Sequence, residues 1–404
     1  MKILLLTQWF DPEPTFKGLL FAQALRNEGN EVEVLTGFPN YPGGKVYEGY
    51  KISLYQREVI DGITVHRVPL YPSHGDSAIK RIFNYASFAA SSTILGLLKT
   101  RGVDIIYSYH PPLTTSLAAV LLGMFKRVPF VVDIQDLWPD TLSATGMVNN
   151  KKVLRVVDRL CSFVYRNAAK IVVLSPGFKN RLIEKGVSEN KVEVIYNWCD
   201  EEVFLKPSFC DIKLPDNGNL NVVFAGNLGF AQGLSSIVGA AKELEVRNVP
   251  VNIVFVGDGV SKLSAIDLVE DDCLENVFFL PRVPMNQVGN ILNSADVLLV
   301  HLTDNDLFSI TIPSKTQAYL AVGKPIVMAV NGDASDLILA AKAGIVSEAN
   351  CSKSLADAVE KMTLLSSSER NVMALNAREF YKKQLSLAHG VKKFMKLFNE
   401  VTHK

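Results

Sequence analysis

The sequence lacks any charge-free apolar stretch of roughly 18 residues, which excludes a helix long enough to cross a bilayer. Cysteine is sparse and unpatterned. Cys161, Cys199, Cys210, Cys273 and Cys351 form no CxxC pair, and no histidine stands at metal-ligand spacing. A structural zinc site and a disulfide framework are therefore both unexpected, and the thiols read as buried, free and reduced. The opening run Lys2-Ile3-Leu4-Leu5-Leu6-Thr7 is too short for a signal peptide, so a cytoplasmic location is expected. There is no GxGxxG run after a strand, which counts against a dinucleotide oxidoreductase. The net charge is only +1, and nucleic acid is not an expected partner.

What is present points to two α/β domains. A length of 404 residues exceeds what one core usually organises. The apolar fraction of 48% and charged fraction of 21% are those of an ordinary globular protein. Through Asn197 there are 23 Lys and Arg against 17 Asp and Glu; the remainder has 19 against 24. A basic first half and an acidic second half suggest different partners. Short β-branched runs at 2–7, 31–35, 63–67, 104–109, 130–133, 171–174 and 192–195 read as strands buried on both faces of a parallel sheet. They alternate with segments of helical period such as 19–26, stopped by Gly29. After a Pro-, Asp-, Asn- and Gly-rich break at 197–218 the pattern restarts, with strands at 222–225, 253–256, 277–279, 297–300 and 325–328. From about Ser367 onward the chain is helical. The expected architecture is two doubly wound parallel sheets, with ligands at the carboxyl ends of their strands.

The chemistry-bearing residues lie just after those strands. Phe224-Ala225-Gly226-Asn227-Leu228-Gly229, with Gln232-Gly233-Leu234 opening a helix, offers backbone N–H groups and a helix N-terminus to phosphate. Phe255-Val256-Gly257-Asp258-Gly259 allows close backbone approach, with Asp258 as a candidate helix cap. In Ser309-Ile310-Thr311-Ile312-Pro313-Ser314-Lys315-Thr316-Gln317, Ser314 reads as a cap and Lys315 falls in the first helical turn. A cation is unfavourable at that helix end, so its placement suggests an anion nearby. In the first half His110 follows one strand, and Asp136 lies in Asp133-Ile134-Gln135-Asp136-Leu137-Trp138-Pro139 after the next. A histidine and a carboxylate at strand ends suit the orientation or deprotonation of a hydroxyl. Asp304-Asn305-Asp306 has DxD spacing but reads as a solvated loop rather than a metal site.

Taken in order, these segments resemble glycosyltransferase family 4, whose members have the GT-B fold and retain anomeric configuration. The resemblance extends to Gly18 before the first helix, to Tyr196-Asn197-Trp198-Cys199-Asp200…Phe204 at the domain crossing, and to Ala318…Gly323-Lys324-Pro325. It implies two Rossmann-like domains facing a central cleft. Residues 1–198 would bind acceptor and 199–384 nucleotide sugar, with a helix of about 385–404 packing back on the first domain. Ser309 and Gln317 stand where the family usually has Glu-x7-Glu, and the Gln317 amide oxygen can still accept from a ribose hydroxyl. Asn227 and Gln232 replace the Arg and Lys that commonly neutralise diphosphate, which makes Lys315 the leading substitute and Arg282 the second.

The resemblance assigns the donor to Gly18, Gly226, Asn227, Gln232, Gly257, Arg282, Val283, Ser309, Pro313, Ser314, Lys315 and Gln317, and catalysis to His110 and Asp136. No cofactor or metal is expected. The Gln-Asp-Leu-Trp-Pro and Gly-Asn-x-Gly-x-x-Gln-Gly-Leu variants are similar to a bacterial subgroup, WbuB-like, that builds capsule and O-antigen repeats. That subgroup implies a UDP-linked N-acetylated amino sugar such as N-acetylfucosamine, and a polyprenyl-diphosphate-linked saccharide acceptor. The basic and aromatic segment 79–88 is the expected contact with the inner face of the cytoplasmic membrane. The rival reading is a UDP-sugar 2-epimerase, which shares the fold and acts on donor without acceptor.

Overall fold

A computed structural model of the chain describes residues 1–73, 77–144 and 146–402. The chain divides into two compact units, Met1–Ile195 with Val391–Lys404, and Tyr196–Gly390. Among the described residues no helix is long and apolar enough to cross a membrane.

The strands of the first unit are β1 (Lys2–Leu6), β2 (Glu31–Gly37), β3 (Gln56–Ile60), β4 (Ile63–Val68), β5 (Ile105–His110), β6 (Phe130–Ile134), β7 (Lys170–Val173) and β8 (Val192–Val194). They form one sheet in the order β3-β4-β2-β1-β5-β6-β7-β8. All pairings are parallel except β3 with β4. All five residues of β6 are buried, as expected for a central strand covered on both faces. Its neighbours carry the same apolar character, which is why they were visible in the sequence. β3 was not foreseen. Its Gln56-Arg57-Glu58-Val59-Ile60 alternates partly buried with exposed positions, the pattern of an edge strand. It folds back on β4 through Asp61 and Gly62, both at positive φ (47° and 81°), which a two-residue hairpin turn requires.

The second unit contains β9 (Leu220–Asn227), β10 (Val251–Asp258), β11 (Val277–Leu280), β12 (Val297–His301), β13 (Ile326–Ala329) and β14 (Gly344–Val346), in the order β11-β10-β9-β12-β13-β14. This is the Rossmann order, a parallel sheet wound outward in both directions from its centre. Side-chain alternation splits the core in two. Val223, Ala225, Val254, Val256, Leu298 and Val300 pack on one face. Val222, Phe224, Ile253, Phe255, Val297 and Leu299 pack on the other. β14 was also missed; three residues are too few to show a period.

The C-terminal segment runs as helix Ser367–Phe380, a π-helical turn Tyr381–Leu385 and helix Leu387–Thr402. Of the segment read as 385–404, His403 and Lys404 lie outside the described residues. Within the first unit Phe394 stacks edge-on against Phe21 at 5.2 Å and Tyr107 at 5.7 Å. Inside the second unit, the Tyr381 hydroxyl meets Glu201 at 2.9 Å and the Cys199 sulfur at 3.2 Å.

The expectation that the cysteines are buried needs correction. Cys161 and Cys199 are buried, but Cys273 is exposed and Cys210 and Cys351 are partly so. Cys273 sits in a left-handed turn after a helix (φ 51°), and Cys351 caps helix Ser352–Leu364 through its sulfur. Both places lie at the ends of surface helices, where a side chain meets solvent.

Candidate active site

In the second sheet the winding reverses between β9 and β12. At such a reversal the loops leaving the carboxyl ends of adjacent strands run in opposite directions, which is where open α/β sheets bind ligands. Gly226 and Asn227 close β9, and His301 closes β12. Gly226 has φ 130°, and a Cβ there would meet Cε of Lys315 at 2.9 Å and Nζ at 3.4 Å. The lysine terminus therefore rests directly on the glycine backbone. Gly257 occupies the paired position in β10, where a Cβ would run into the Gly226 carbonyl. Tyr319 fixes the strand end from the other side: its hydroxyl accepts from the Ala225 N–H at 3.1 Å and donates to the Ala225 carbonyl at 3.3 Å.

Lys315 belongs to helix Ser314–Val322. Its Nζ lies 3.3 Å from the centroid of the Phe224 ring, buried and without a hydrogen-bond partner among the described residues. Burial with no anionic partner pushes its pKa down from 10.5 to about 7. The cap of this helix is Pro313, not Ser314, and no side chain accepts from its first turn. Ser314 is already the first helical residue and exposed, so its hydroxyl is past the position from which it could cap.

Gln317 is buried one helical turn beyond Pro313. In the amide orientation that satisfies its neighbours, its nitrogen donates to the carbonyls of Pro313 (2.9 Å) and Ser314 (3.0 Å). Ser309 ends the short helix Asp306–Ser309 and donates to the Asp306 carbonyl at 2.8 Å. Asn227 is exposed, while the Gln232 side chain accepts from the Gly229 N–H at 3.0 Å and so is engaged in its own turn. Arg282 is exposed beyond β11, which is two strands away from β9. Val283 is packed in the core, leaving only its backbone to meet a ligand.

Asp258 does not cap the next helix. Its carboxylate accepts from the Gly259 N–H at 2.9 Å, and helix Lys262–Asp271 begins later, after Ser261. Asp304, Asn305 and Asp306 are exposed; Asn305 caps helix Asp306–Ser309, and Asp304 accepts from Asn331 at 3.0 Å.

In the first sheet the winding reverses between β1 and β5, and His110 is the last residue of β5. Its ring is fully buried, edge-on to Trp138 at 5.5 Å, with neither nitrogen hydrogen-bonded among the described residues. Burial pushes its pKa down to about 4, so the ring is neutral near pH 7. Asp136, in the loop after β6, is partly buried, and burial raises its carboxyl pKa above 3.8. Gly18 precedes helix Leu19–Asn27 in this unit, where a Cβ would collide with the side chains of Asp11 and Thr15.

Two features escaped the sequence reading. The first is the fully buried ion pair of Lys17 and Asp133, which also accepts from the Tyr107 hydroxyl and Gln135 amide, both at 2.6 Å. Only the fold brings together residues 116 positions apart. The second is His301, whose Nδ1 lies 2.8 Å from the Gln232 carbonyl and whose pKa burial lowers to about 4. A histidine ending the apolar run Val297-Leu298-Leu299-Val300 was the available signal.

Comparison with known proteins agrees with this arrangement. The family profile described as "Glycosyl transferase 4-like domain" matches residues 19–198, and that described as "Glycosyl transferases group 1" matches 210–380. The putative colanic acid biosynthesis glycosyl transferase WcaI of Escherichia coli (strain K12) is 30% identical over 337 residues, 80% of this chain and 82% of its own. The probable glycosyltransferase WbjE of Pseudomonas aeruginosa is 28% identical over 237 residues, 56% and 58% of the two chains. The crystal structure of Anabaena HepE with UDP and glucose superposes with a TM-score of 0.66 at 17% identity, covering 99% of both chains. The chain therefore belongs to the family 4/group 1 glycosyltransferases of GT-B fold, and it is a glycosyltransferase enzyme.

Proposed function

We propose that the enzyme transfers a sugar from UDP to a lipid-linked glycan with retention of configuration, in the assembly of a capsular or O-antigen polysaccharide. The observation that carries this reading is Lys315, whose buried amine has no partner among the described residues and rests against Gly226 at the switch point of the second sheet. Such a site suits a ligand that brings its own negative charge, and the diphosphate of a nucleotide sugar is that ligand. The relative named for colanic acid biosynthesis supports a polysaccharide product, and the HepE complex supports UDP as carrier.

In this reading the second unit holds the donor. Gly226, Gly257 and the first turn of helix Ser314–Val322 approach the diphosphate, with Lys315 as the cation in place of a metal. The Gln317 carbonyl oxygen accepts from ribose, and the backbone at Arg282 and Val283 meets the base. Ser309 lies toward the sugar, and Asn227 and Gln232 shape the glycine turn. Negative charge grows on the leaving diphosphate in the transition state, so a preorganised cation there lowers the barrier more than it tightens ground-state binding. The first unit holds the acceptor. Asp136, with its raised pKa, orients and draws the proton of the attacking hydroxyl. Neutral His110 positions that hydroxyl without adding charge.

Contact with an anionic membrane is assigned to the first unit. In helix Ala78–Lys99, Asn84 and Phe88 point inward while Ile79, Ile82 and Phe83 are more than 60% exposed beside Lys80 and Arg81. Helix Lys151–Asn167 similarly exposes Val153, Val156, Leu160 and Phe163 and carries the exposed cations Arg155 and Arg159. Exposed apolar side chains bordered by cations are what an interfacial helix presents to acidic lipid.

The test is incubation with a panel of UDP- and GDP-sugars, N-acetylated amino sugars included, with and without a polyprenyl-diphosphate saccharide. UDP release that depends on acceptor, with an α-linked product by NMR, is expected. An inverted product, or donor conversion that needs no acceptor, overturns the reading.

A further inference from the structure

We propose that His301 is a positioning residue of the anion site in the second unit, and that Lys315 takes up a proton when a diphosphate binds there. This deepens the donor assignment above and rests on it.

The positioning role follows from the hydrogen-bond bookkeeping of one ring. His301 is 1% exposed at the end of β12. Its Nδ1 faces the Gln232 carbonyl at 2.8 Å; a carbonyl can only accept, so Nδ1 carries the hydrogen. The ring also packs against Gly233, where a Cβ would meet Cε1 at 2.8 Å and Nδ1 at 3.2 Å. The histidine thus pins both the carbonyl that ends the turn Phe230–Gln232 and the glycine that opens helix Leu234–Val246. That turn is continuous with Gly226, on which Lys315 rests. Nε2 is buried and has no partner among the described residues.

Proton uptake follows from what surrounds the amine. From β9 it meets the Phe224 ring and the Gly226 backbone, and its charge acts on His301 at the end of β12, helping to keep that ring neutral. No acidic side chain hydrogen-bonds or ion-pairs with Lys315 or His301 among the described residues. A buried amine without a counter-charge gives up its proton easily, and a diphosphate supplies the missing charge and restores it. The lowered pKa of Lys315, about 7, agrees with this. Binding above that pH therefore draws a proton from solvent, and affinity falls as pH rises.

Calorimetric titration of the full chain with UDP-glucose and with GDP-mannose tests both parts. These diphosphate diesters hold no titrating proton in the range used, unlike UDP, whose terminal phosphate titrates near about 6. At pH of about 8, in buffers of different ionisation enthalpy, uptake of most of one proton is expected, with affinity falling up to about tenfold per pH unit above it. Lys315→Arg should bind with no proton uptake and a flat pH profile, because guanidinium does not titrate. His301→Asn places an amide N–H where Nδ1 stood and should keep near-native affinity. His301→Ala should weaken binding about tenfold or more while uptake persists. Wild type binding without proton uptake, a pH-dependent Lys315→Arg, or binding of neither diester overturns the inference for Lys315; native affinity in His301→Ala overturns it for His301. Sugar transfer is not measured here, so a failed transfer assay and a failed titration remain distinguishable.

Discussion

The Nζ of Lys315 sits 3.3 Å from the centroid of the Phe224 ring, over its face and out of reach of any acceptor among the described residues. A cation over an aromatic face is attracted by the ring quadrupole, but that attraction does not replace lost hydration. The arrangement costs stability in the free protein and is suited to a negatively charged ligand.

That cost can be measured. An unsatisfied buried polar group is worth about 1–3 kcal/mol, so Lys315→Met should stabilise the free enzyme by that order while weakening UDP binding. The sign with pH is fixed by the depressed pKa of the folded state, about 7 against 10.5. Between these values the unfolded chain holds more protons, so the penalty is full below pH 7 and fades as pH rises toward 10.5. Thermal melts of both proteins across that window check it; equal stability throughout contradicts the picture.

Acid should act through two of the buried histidines, His110 and His301. His110 and His301 have folded pKa values of about 4, below the ordinary 6.5. As pH falls from 6.5 toward 4 the unfolded chain binds protons that the folded chain refuses. Each ring then removes up to about 3 kcal/mol of stability over that interval. Urea unfolding should show the loss beginning below about pH 6.5, and His110→Asn or His301→Asn should flatten the slope. An unchanged slope in both variants rejects the assignment.

Asp136→Asn separates chemistry from binding. The amide keeps the shape of the carboxylate but cannot take a proton, so kcat should drop about 10²- to 10⁴-fold with UDP affinity unchanged. Turnover at the native rate removes Asp136 from the mechanism.

The Lys17–Asp133 pair predicts a non-additive cycle. Both side chains are fully buried, so removing either one strands a charge and should cost about 3–5 kcal/mol. Lys17→Met with Asp133→Leu leaves no stranded charge and should cost less than the two single changes together. Chemical denaturation of the four proteins measures the coupling, and strict additivity would speak against a direct pair.

Most of the fold was legible because central parallel strands are apolar on both faces. The runs at 130–133 and 297–300 could hardly be anything else, and their restart after 197–218 disclosed two domains. Edge elements were not legible: the polar alternation of β3 and the three residues of β14 carry little hydrophobic signal. At the candidate site, the glycines at the ends of β9 and β10 and the lysine at the start of a helix were readable, because each breaks a local rule that an anion or a close backbone approach would explain.

The sequence by itself determined the two doubly wound domains and the family, and it marked the candidate segments after the strands, since periodicity and local turn chemistry are short-range properties. Tertiary structure decided which of those residues meet. It set Lys315 against Gly226 and Phe224, tied His301 to the Gln232 carbonyl, buried Lys17 beside Asp133, and left Ser314 past the capping position. These are pairings across sheet and loop, fixed by strand order and by the burial of charge, and no local pattern encodes them.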